Sequence, residues 1–206
     1  MRRLIIASSN KHKIEEFKNI FKDINYEIMG LDDIGFTDDI VEDGDSFISN
    51  ASIKAEAVYK FWKEKMSEND LILADDSGLS CDLLNGAPGI YSARFKAELS
   101  VRERNEELCK LLRDKDEDEN LWTCHYTAAI VLIDSSGSEN IFEKHCYGRI
   151  KTEPRGENGF GYDPIFFLPE YGLTMAELAS DMKNSISHRG KACREVLEFI
   201  RNREVN

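Results

Sequence analysis

The stretch Leu71-Ile72-Leu73-Ala74-Asp75-Asp76-Ser77-Gly78-Leu79 decides how the rest of the chain is read. Its four leading apolar residues read as a buried strand, too short a run for a helix. The strand leads directly into two carboxylates, a hydroxyl and a glycine. In an open α/β sheet, ligands bind beyond the carboxyl ends of strands, so chemistry is expected here. Adjacent Asp75 and Asp76 repel each other unless something positive sits near, and a hard cation such as Mg²⁺ takes oxygen ligands of this kind. Gly78 allows a sharp turn and a close approach to a ligand. Taken alone, the stretch fits both a metal site and an ordinary acidic turn.

The 206 residues allow one large domain, or two intimately joined lobes, with a sizeable core. Hydrophobic content of 41% and charged content of 32% describe an ordinary soluble globular protein. No apolar run approaches the length that crosses a bilayer. The apolar part of Met1–Ala7 is too short for a secretory signal and reads as a first strand. A net charge of −12 argues against a protein that tracks a nucleic-acid backbone or an anionic membrane. A polyphosphate arriving with metal at a local basic pocket is compatible with it. The five cysteines show no C-x-x-C pair and no metal-ligand spacing, and an odd count without a signal points to reduced thiols in a cytosol.

Working outward, Leu4–Ala7 is the first strand, followed by the turn Ser8-Ser9-Asn10. From Lys11 the period changes, with Ile14, Phe17, Ile20, Phe21 and Ile24 on one helical face. A strand, a short Ser/Asn turn and a helix place backbone N–H groups and Lys13 at a helix N-terminus, where an anion binds favourably. Plain capping by Ser9 or Asn10, with Lys11, His12 and Lys13 as solvated surface, is the other reading. Tyr26–Met29 reads as a second strand and Leu31–Asp45 as an acidic loop. A helix follows over Ser46–Lys65, with Phe47, Ala51, Ala55, Val58, Phe61 and Trp62 as its apolar face. Glu42 ahead of it either answers the helix dipole or supplies a further oxygen to a metal held by Asp76. Asn50 and Lys54 lie one turn apart on this helix and can face the same cleft.

After the Asp pair, Leu79–Leu84 reads as another strand, Asn85–Gly89 as a turn, and Ser100–Leu112 as a helix. The polar run Arg113–Asn120 is expected to be a mobile connection. Thr123–Ile133 is a long strand that returns through Asp134–Gly137 towards Ile150 as an antiparallel hairpin. The second unusual stretch is Arg155-Gly156-Glu157-Asn158-Gly159-Phe160-Gly161-Tyr162-Asp163-Pro164, before a buried strand Ile165–Leu168. Aromatics on such a loop can stack on a nucleobase, and a carboxylate can accept from its N–H groups. Thr174-x-x-Glu177 is a capping box. Lys183, His188 and Arg189 then gather before a last helix with Ala192, Val196, Leu197 and Ile200 on its buried face. In so acidic a chain, these three basic residues suggest either an anionic or nucleobase ligand, or simply surface charge.

Together these segments resemble the inosine triphosphate pyrophosphatases. The resemblance lies in Ser8-Ser9-Asn10-Lys11-His12-Lys13, Glu42-Asp43-Gly44, Asn50-Ala51, Ala74–Leu79, Gly86–Arg94, Gly159-Phe160-Gly161-Tyr162-Asp163-Pro164 and Ser187-His188-Arg189-Gly190, in order along nearly the whole chain. It implies a mixed α/β fold over residues 1–206: a single domain of two lobes without a separable linker, a long mixed central sheet flanked by helices, and an active-site cleft between the lobes. It also implies a cytoplasmic homodimer that hydrolyses inosine, deoxyinosine and xanthosine triphosphates to monophosphate and pyrophosphate with Mg²⁺. Ser8, Ser9, Asn10, Lys11, His12 and Lys13 would hold the triphosphate, with Ser77 contacting substrate. Glu42 and Asp76 would be metal ligands, and Asp76, with Asp75, catalytic. Phe160, Gly161, Tyr162, Asp163, Lys183, His188 and Arg189 would build the nucleobase pocket. The chain departs from the pattern at Ser49, where a Glu commonly precedes the Asn.

The expected chemistry is water attack at the α-phosphorus, with metal, Lys13 and the helix start stabilising charge on pyrophosphate. A metal-bound carboxylate is a poor base, so Asp76 is read as ligand more than base, with Asp75 or Glu42 sharing the water. Arg189 or His188 donating to the C6 oxygen of inosine would oppose the amine of adenine. A Maf-like nucleotide pyrophosphatase and a non-catalytic nucleotide sensor are the rival readings.

Overall fold

The computed structural model describes residues 2–205, so Met1 of the expected first strand lies outside them. Seven strands form one mixed sheet in the order β2-β1-β3-β4-β5-β6-β7. The parallel part comprises β1 (Arg3–Ile6), β2 (Glu27–Met29) and β3 (Leu71–Cys81), with Ile5 opposite Met29 on one side and Ile72 on the other. A parallel pair needs a crossover, and helix α1 (Lys11–Ile20) supplies it between β1 and β2. Strands β4 (Thr123–Asp134) and β5 (Glu139–Ile150) are neighbours joined by four residues, the expected hairpin. Antiparallel β6 (Phe166–Leu168) and β7 (Leu173–Thr174) follow, with Ile150 opposite Phe166 and Leu168 opposite Leu173.

The chain divides into two compact units. The first comprises residues up to Asp76, Ala128–Lys144 and the chain from Arg189; the second comprises Ser77–Thr127 and His145–His188. In the first unit the strand period of two sorts the core onto two faces. Leu4, Ile6, Leu71, Leu73, Ala128, Ile130 and Leu132 pack with Phe17 of α1 and with Ala192, Cys193, Val196 and Ile200 of α6 (His188–Val205). Ile5, Ala7, Ile72, Ala74, Val131 and Ile133 pack with Ala51, Ala55, Val58 and Trp62 of α3 (Phe47–Trp62). Most of these side chains are fully buried, each stabilising the unit by about 1.5–3 kcal/mol if it is Leu, Ile, Val or Phe. Helix α2 (Leu31–Ile34), closed by the left-handed Gly35, interrupts the segment expected to be loop, and Ile34 anchors it in the core.

In the second unit, α4 (Val101–Arg113) and α5 (Ser180–Ile186) accompany a core of Leu79, Leu108, Leu112, Trp122, Tyr126, Ile150, Phe166 and Met175. Three expectations need correction. There is one strand from Leu71 to Cys81 where two were read, and Asp82–Leu84 is a 3₁₀ turn. The polar run after α4 is tied down: Trp122 donates to the Asp116 carbonyl at 2.8 Å, and Thr152 donates to Glu119. The Thr174/Glu177 capping box forms, but on a 3₁₀ turn at Met175–Glu177, and α5 begins only at Ser180.

Candidate active site

Asp75 and Asp76 lie inside β3, so successive side chains leave on opposite faces. Asp75 continues the Leu71/Leu73 side, which is covered by α1 and α6. Asp76 continues the Ile72/Ala74 side, which is covered by α3. The strand does not break at the carboxylates because each finds cations on its own face.

On the first face, Lys13 Nζ lies 2.7 Å from Asp75 Oδ2, Arg189 Nη2 lies 3.3 Å from it, and Arg189 Nη1 pairs with Glu16. Burial alone would raise the Asp75 carboxyl, but Lys13 and Arg189 outweigh it and hold it well below the usual carboxylate range. Lys13 is lowered by its own burial, against the pull of Asp75. Upstream, Asn10 caps α1 by accepting from the Lys13 N–H at 3.2 Å, and the Asn10 N–H donates to Ser8 Oγ at 3.2 Å. Ser9, Asn10, Lys11 and His12 are exposed around that helix start.

On the other face, Lys54 Nζ sits 2.8 Å from Glu42 Oε2 and 3.4 Å from Asp76 Oδ1. Asn50 Nδ2 donates to Asp76 Oδ2 at 3.2 Å, while its Oδ1 accepts from the Gly44 N–H at 2.9 Å. A Cβ at Gly44 would lie 2.5–2.8 Å from Ser49 and Asn50 atoms, so only glycine lets the Glu42 loop come this close. Burial pushes the Asp76 carboxyl up, partly offset by Lys54 and Lys13. The two neighbours are therefore driven in opposite directions, the pattern by which one site separates a permanent charge from a proton acceptor.

Glu42 and Asp76 converge on one positive point, the Lys54 ammonium. Among the described residues no group of three or more His, Cys, Asp or Glu is arranged to hold a metal. Two carboxylates suffice for Mg²⁺, which keeps several waters and shares substrate phosphates. The hard oxygen donors fit that ion.

In the second unit, Asp163 is the hub of the glycine-rich loop. Its Oδ2 accepts from the Phe160 N–H and from Lys183 Nζ, both at 2.9 Å, and its Oδ1 accepts from the Tyr126 hydroxyl at 3.1 Å. A Cβ on Gly159, at φ +78°, would lie 2.1 Å from Asp163 Oδ2. His188 stacks on Tyr126 with centroids 4.7 Å apart, Lys183 lies over the Phe160 ring, and the Tyr162 hydroxyl donates to the Ser92 carbonyl at 3.0 Å. Gly161 takes φ +62° between the two aromatics. Burial, reinforced by Asp163, raises the Tyr126 hydroxyl well above its ordinary value and keeps it protonated.

The structure thus brings Ser8, Asn10, Lys13, Glu42, Asp75, Asp76 and Arg189 into the first unit, and Phe160, Gly161, Tyr162, Asp163, Lys183 and His188 into the second, where Ser77 also falls. Arg189 stands with Asp75 and Glu16 rather than in the Asp163 group expected of it. Tyr126 is absent from the sequence-derived set; Asn50 and Lys54, read there as facing one cleft, carry no ligand or catalytic role in it and both meet Asp76. Lys54 left one signal: a lysine beside Ala51, Ala55 and Val58 on a helix's buried face.

Residues 4–199 match the model of the Ham1 family. The chain is 41% identical over 202 residues to a dITP/XTP pyrophosphatase of Clostridium perfringens, covering 98% of each chain. It is 41% identical over 201 residues to one of Bacillus subtilis, covering 97% of this chain and 98% of that protein. The structure of a Ham1 protein from Coxiella burnetii superposes with a TM-score of 0.84 at 32% identity, covering 98% of this chain and all of the other. The Staphylococcus aureus Ham1 protein gives 0.82 at 34% identity, with the same coverage.

Proposed function

The chain belongs to the Ham1 family, and from that premise we infer that it is a nucleoside-triphosphate pyrophosphatase that hydrolyses the non-standard purine nucleotides dITP, XTP and ITP. The observation that carries the chemistry is the convergence of Glu42 and Asp76 on the Lys54 ammonium, beside the Asp75–Lys13–Arg189 group. Acidic oxygens and fixed positive charge side by side are what a metal-bearing polyphosphate needs, which supports the reading.

Glu42 and Asp76 would hold Mg²⁺, which when bound supplies positive charge to the pyrophosphate leaving group. Lys13 and Lys54 give the phosphates fixed cations, with the α1 N–H groups and the side chains of Ser8–His12 at the helix start. Asp76, read from the sequence as ligand more than base, also takes the proton of the attacking water here. Burial raises its carboxyl, and Asp75, another candidate, is engaged by Lys13 and Arg189. Asp75 is committed to Lys13 and Arg189. Its role is to keep both cations charged and in place. In the second unit, Phe160 and Tyr162 present aromatic faces to the base, Asp163 and Lys183 fix the loop, and His188 donates towards the C6 oxygen. An adenine amine meets a donor there, a mismatch costing about 1–3 kcal/mol. Arg189 contributes to the phosphate side of this scheme.

A homodimer and a cytoplasmic setting belong to the same reading. All five cysteines are buried and outside any disulfide, which fits the second, and sedimentation tests the first. Among the described residues no helix is long and apolar enough to cross a membrane. The deciding experiment is pyrophosphate release from dITP, XTP, ITP, ATP and GTP, with Mg²⁺ and with EDTA. Metal-dependent pyrophosphate from the first three, with ATP and GTP poor, is expected. Orthophosphate as product would overturn the reading.

A further inference from the structure

We propose that Asn105 is a positioning residue for base selection: through Gly161 it fixes the loop that carries Phe160, Tyr162 and Asp163. The proposal rests on the base-binding role given to that loop above.

Asn105 lies on α4 one turn before Leu108 and Cys109 and two before Leu112, so it shares their buried face and is only 6% exposed. It is the polar exception on that face. Its Nδ2 donates to the Gly161 carbonyl at 3.1 Å, across 56 residues of sequence. Its Oδ1 is buried with no hydrogen-bond partner among the described residues. A buried amide that satisfies one end only costs stability, whereas an apolar side chain of similar volume would not. The donor end is therefore the part with a purpose.

What it holds is the carbonyl of the loop glycine at which a side chain would meet nothing. Gly161 occupies the left-handed region, and a Cβ there would meet nothing within 4 Å, so no packed side chain anchors the loop at this position. Glycine reaches either sign of φ at little cost. On either side the loop is pinned: the Phe160 N–H to Asp163, and the Tyr162 hydroxyl to the Ser92 carbonyl. Between them the Asp163 N–H closes a turn on the Phe160 carbonyl at 3.2 Å, and Asn105 ties the Gly161 carbonyl inside that turn to α4. Without Asn105 the turn loses this tie, and both flanking aromatic rings are presented less firmly to a base.

The test compares wild type with Asn105→Leu and Asn105→Asp. Leucine removes the donor and the unpaired oxygen together. Aspartate keeps the volume but turns an acceptor on the Gly161 carbonyl. For each protein the melting temperature, hydrogen exchange of the segment 158–164 without nucleotide, and KM and kcat for ITP and ATP are measured. Expected are a folded Leu variant, faster exchange confined to that segment, and a KM for ITP raised about five- to tenfold with a much smaller change in kcat, the size of one lost hydrogen bond. The ITP-over-ATP preference should shrink by the same factor. Unchanged exchange and unchanged KM in a folded variant overturn the proposal, as does a loss confined to kcat. If the Leu variant does not fold, the Asp variant decides by the same readings. A wild type inactive on ITP would remove the substrate assignment, while the exchange measurement still decides the role of Asn105.

Discussion

The two units solve opposite electrostatic problems. In the first, three cations and four carboxylates interleave: Lys13 and Arg189 with Asp75 and Glu16 on one face of β3, and Lys54 with Asp76 and Glu42 on the other. In the second, one ion pair, Asp163 with Lys183, sits among Tyr126, Phe160 and His188. In the proposed reading each would meet a different part of a nucleotide. A triphosphate carries several charges that need many compensating groups, whereas a base offers a flat ring and a few directional polar atoms. It follows that changes in the first unit should act on turnover and stability, and changes in the second on KM and base choice.

The largest effect is expected at Asp76. In the proposed scheme Asp76→Asn would remove the proton acceptor and one metal oxygen together, so kcat for ITP should fall by about 10²–10⁴. Because burial penalises its ionised form, the folded protein should melt at the same temperature or slightly higher. Pyrophosphate release and a melting curve check both, and near-normal turnover would remove Asp76 from the mechanism.

Its neighbour should behave in the reverse way. Asp75→Asn leaves Lys13 a buried charge without its carboxylate and Arg189 with Glu16 alone, and breaking such a group costs about 3–5 kcal/mol. Denaturant unfolding of wild type and variant measures it. The pH dependence has a fixed sign. The folded Asp75 carboxyl lies below its unfolded value, so its stabilising contribution is fully present above the ordinary Asp range and is lost as pH falls from about 4 towards the depressed folded value. The stability difference between wild type and variant should stay constant from pH 7 to about 5 and shrink only below that. A difference that shrank already between pH 7 and 5 would mean that Asp75 is not the ionised partner of Lys13.

These neighbours also show how much of the molecule the sequence discloses. Periodicity was enough to place α1, α3, α4, the β4–β5 hairpin and the buried face of α6, because those patterns are local. The end of β3 was not legible. Two adjacent carboxylates look like the exit from a strand, and only the cations brought by α1, α3 and α6 let them stay within it. Likewise Ser187-His188-Arg189 reads as one motif, yet His188 stacks on Tyr126 in the second unit while Arg189 pairs with Asp75 in the first. Sequence adjacency carries no information about which partner lies across a fold. Tyr126 had no signal at all: it is an aromatic residue in a long strand, indistinguishable from core until its hydroxyl is seen on Asp163.

In the second unit, Lys183→Met should leave turnover largely intact while raising KM for ITP roughly tenfold. Asp163 keeps the Phe160 N–H and the Tyr126 hydroxyl, but loses its charged partner. Saturation curves for ITP and ATP separate that outcome from a loss in kcat, which would assign Lys183 to the phosphate side and blur the contrast between the units.

The smallest effect is the sharpest test of that contrast. Tyr126→Phe deletes one hydroxyl and leaves the ring between His188 and Phe166, whose centroids lie 4.7 and 4.4 Å away. Stacking and packing are thus retained, and the only loss is the 3.1 Å hydrogen bond to Asp163 Oδ1. A hydrogen bond to a charged acceptor contributes about 1.5–3 kcal/mol, but Asp163 keeps two donors on its other oxygen, so the net loss should lie at or below the low end of that range. The expected result is a rise of a few-fold in KM for ITP, with kcat and its pH profile unchanged. A shift in the pH profile instead would mean that the hydroxyl takes part in proton transfer, and the second unit would then belong to the chemistry as well as to recognition.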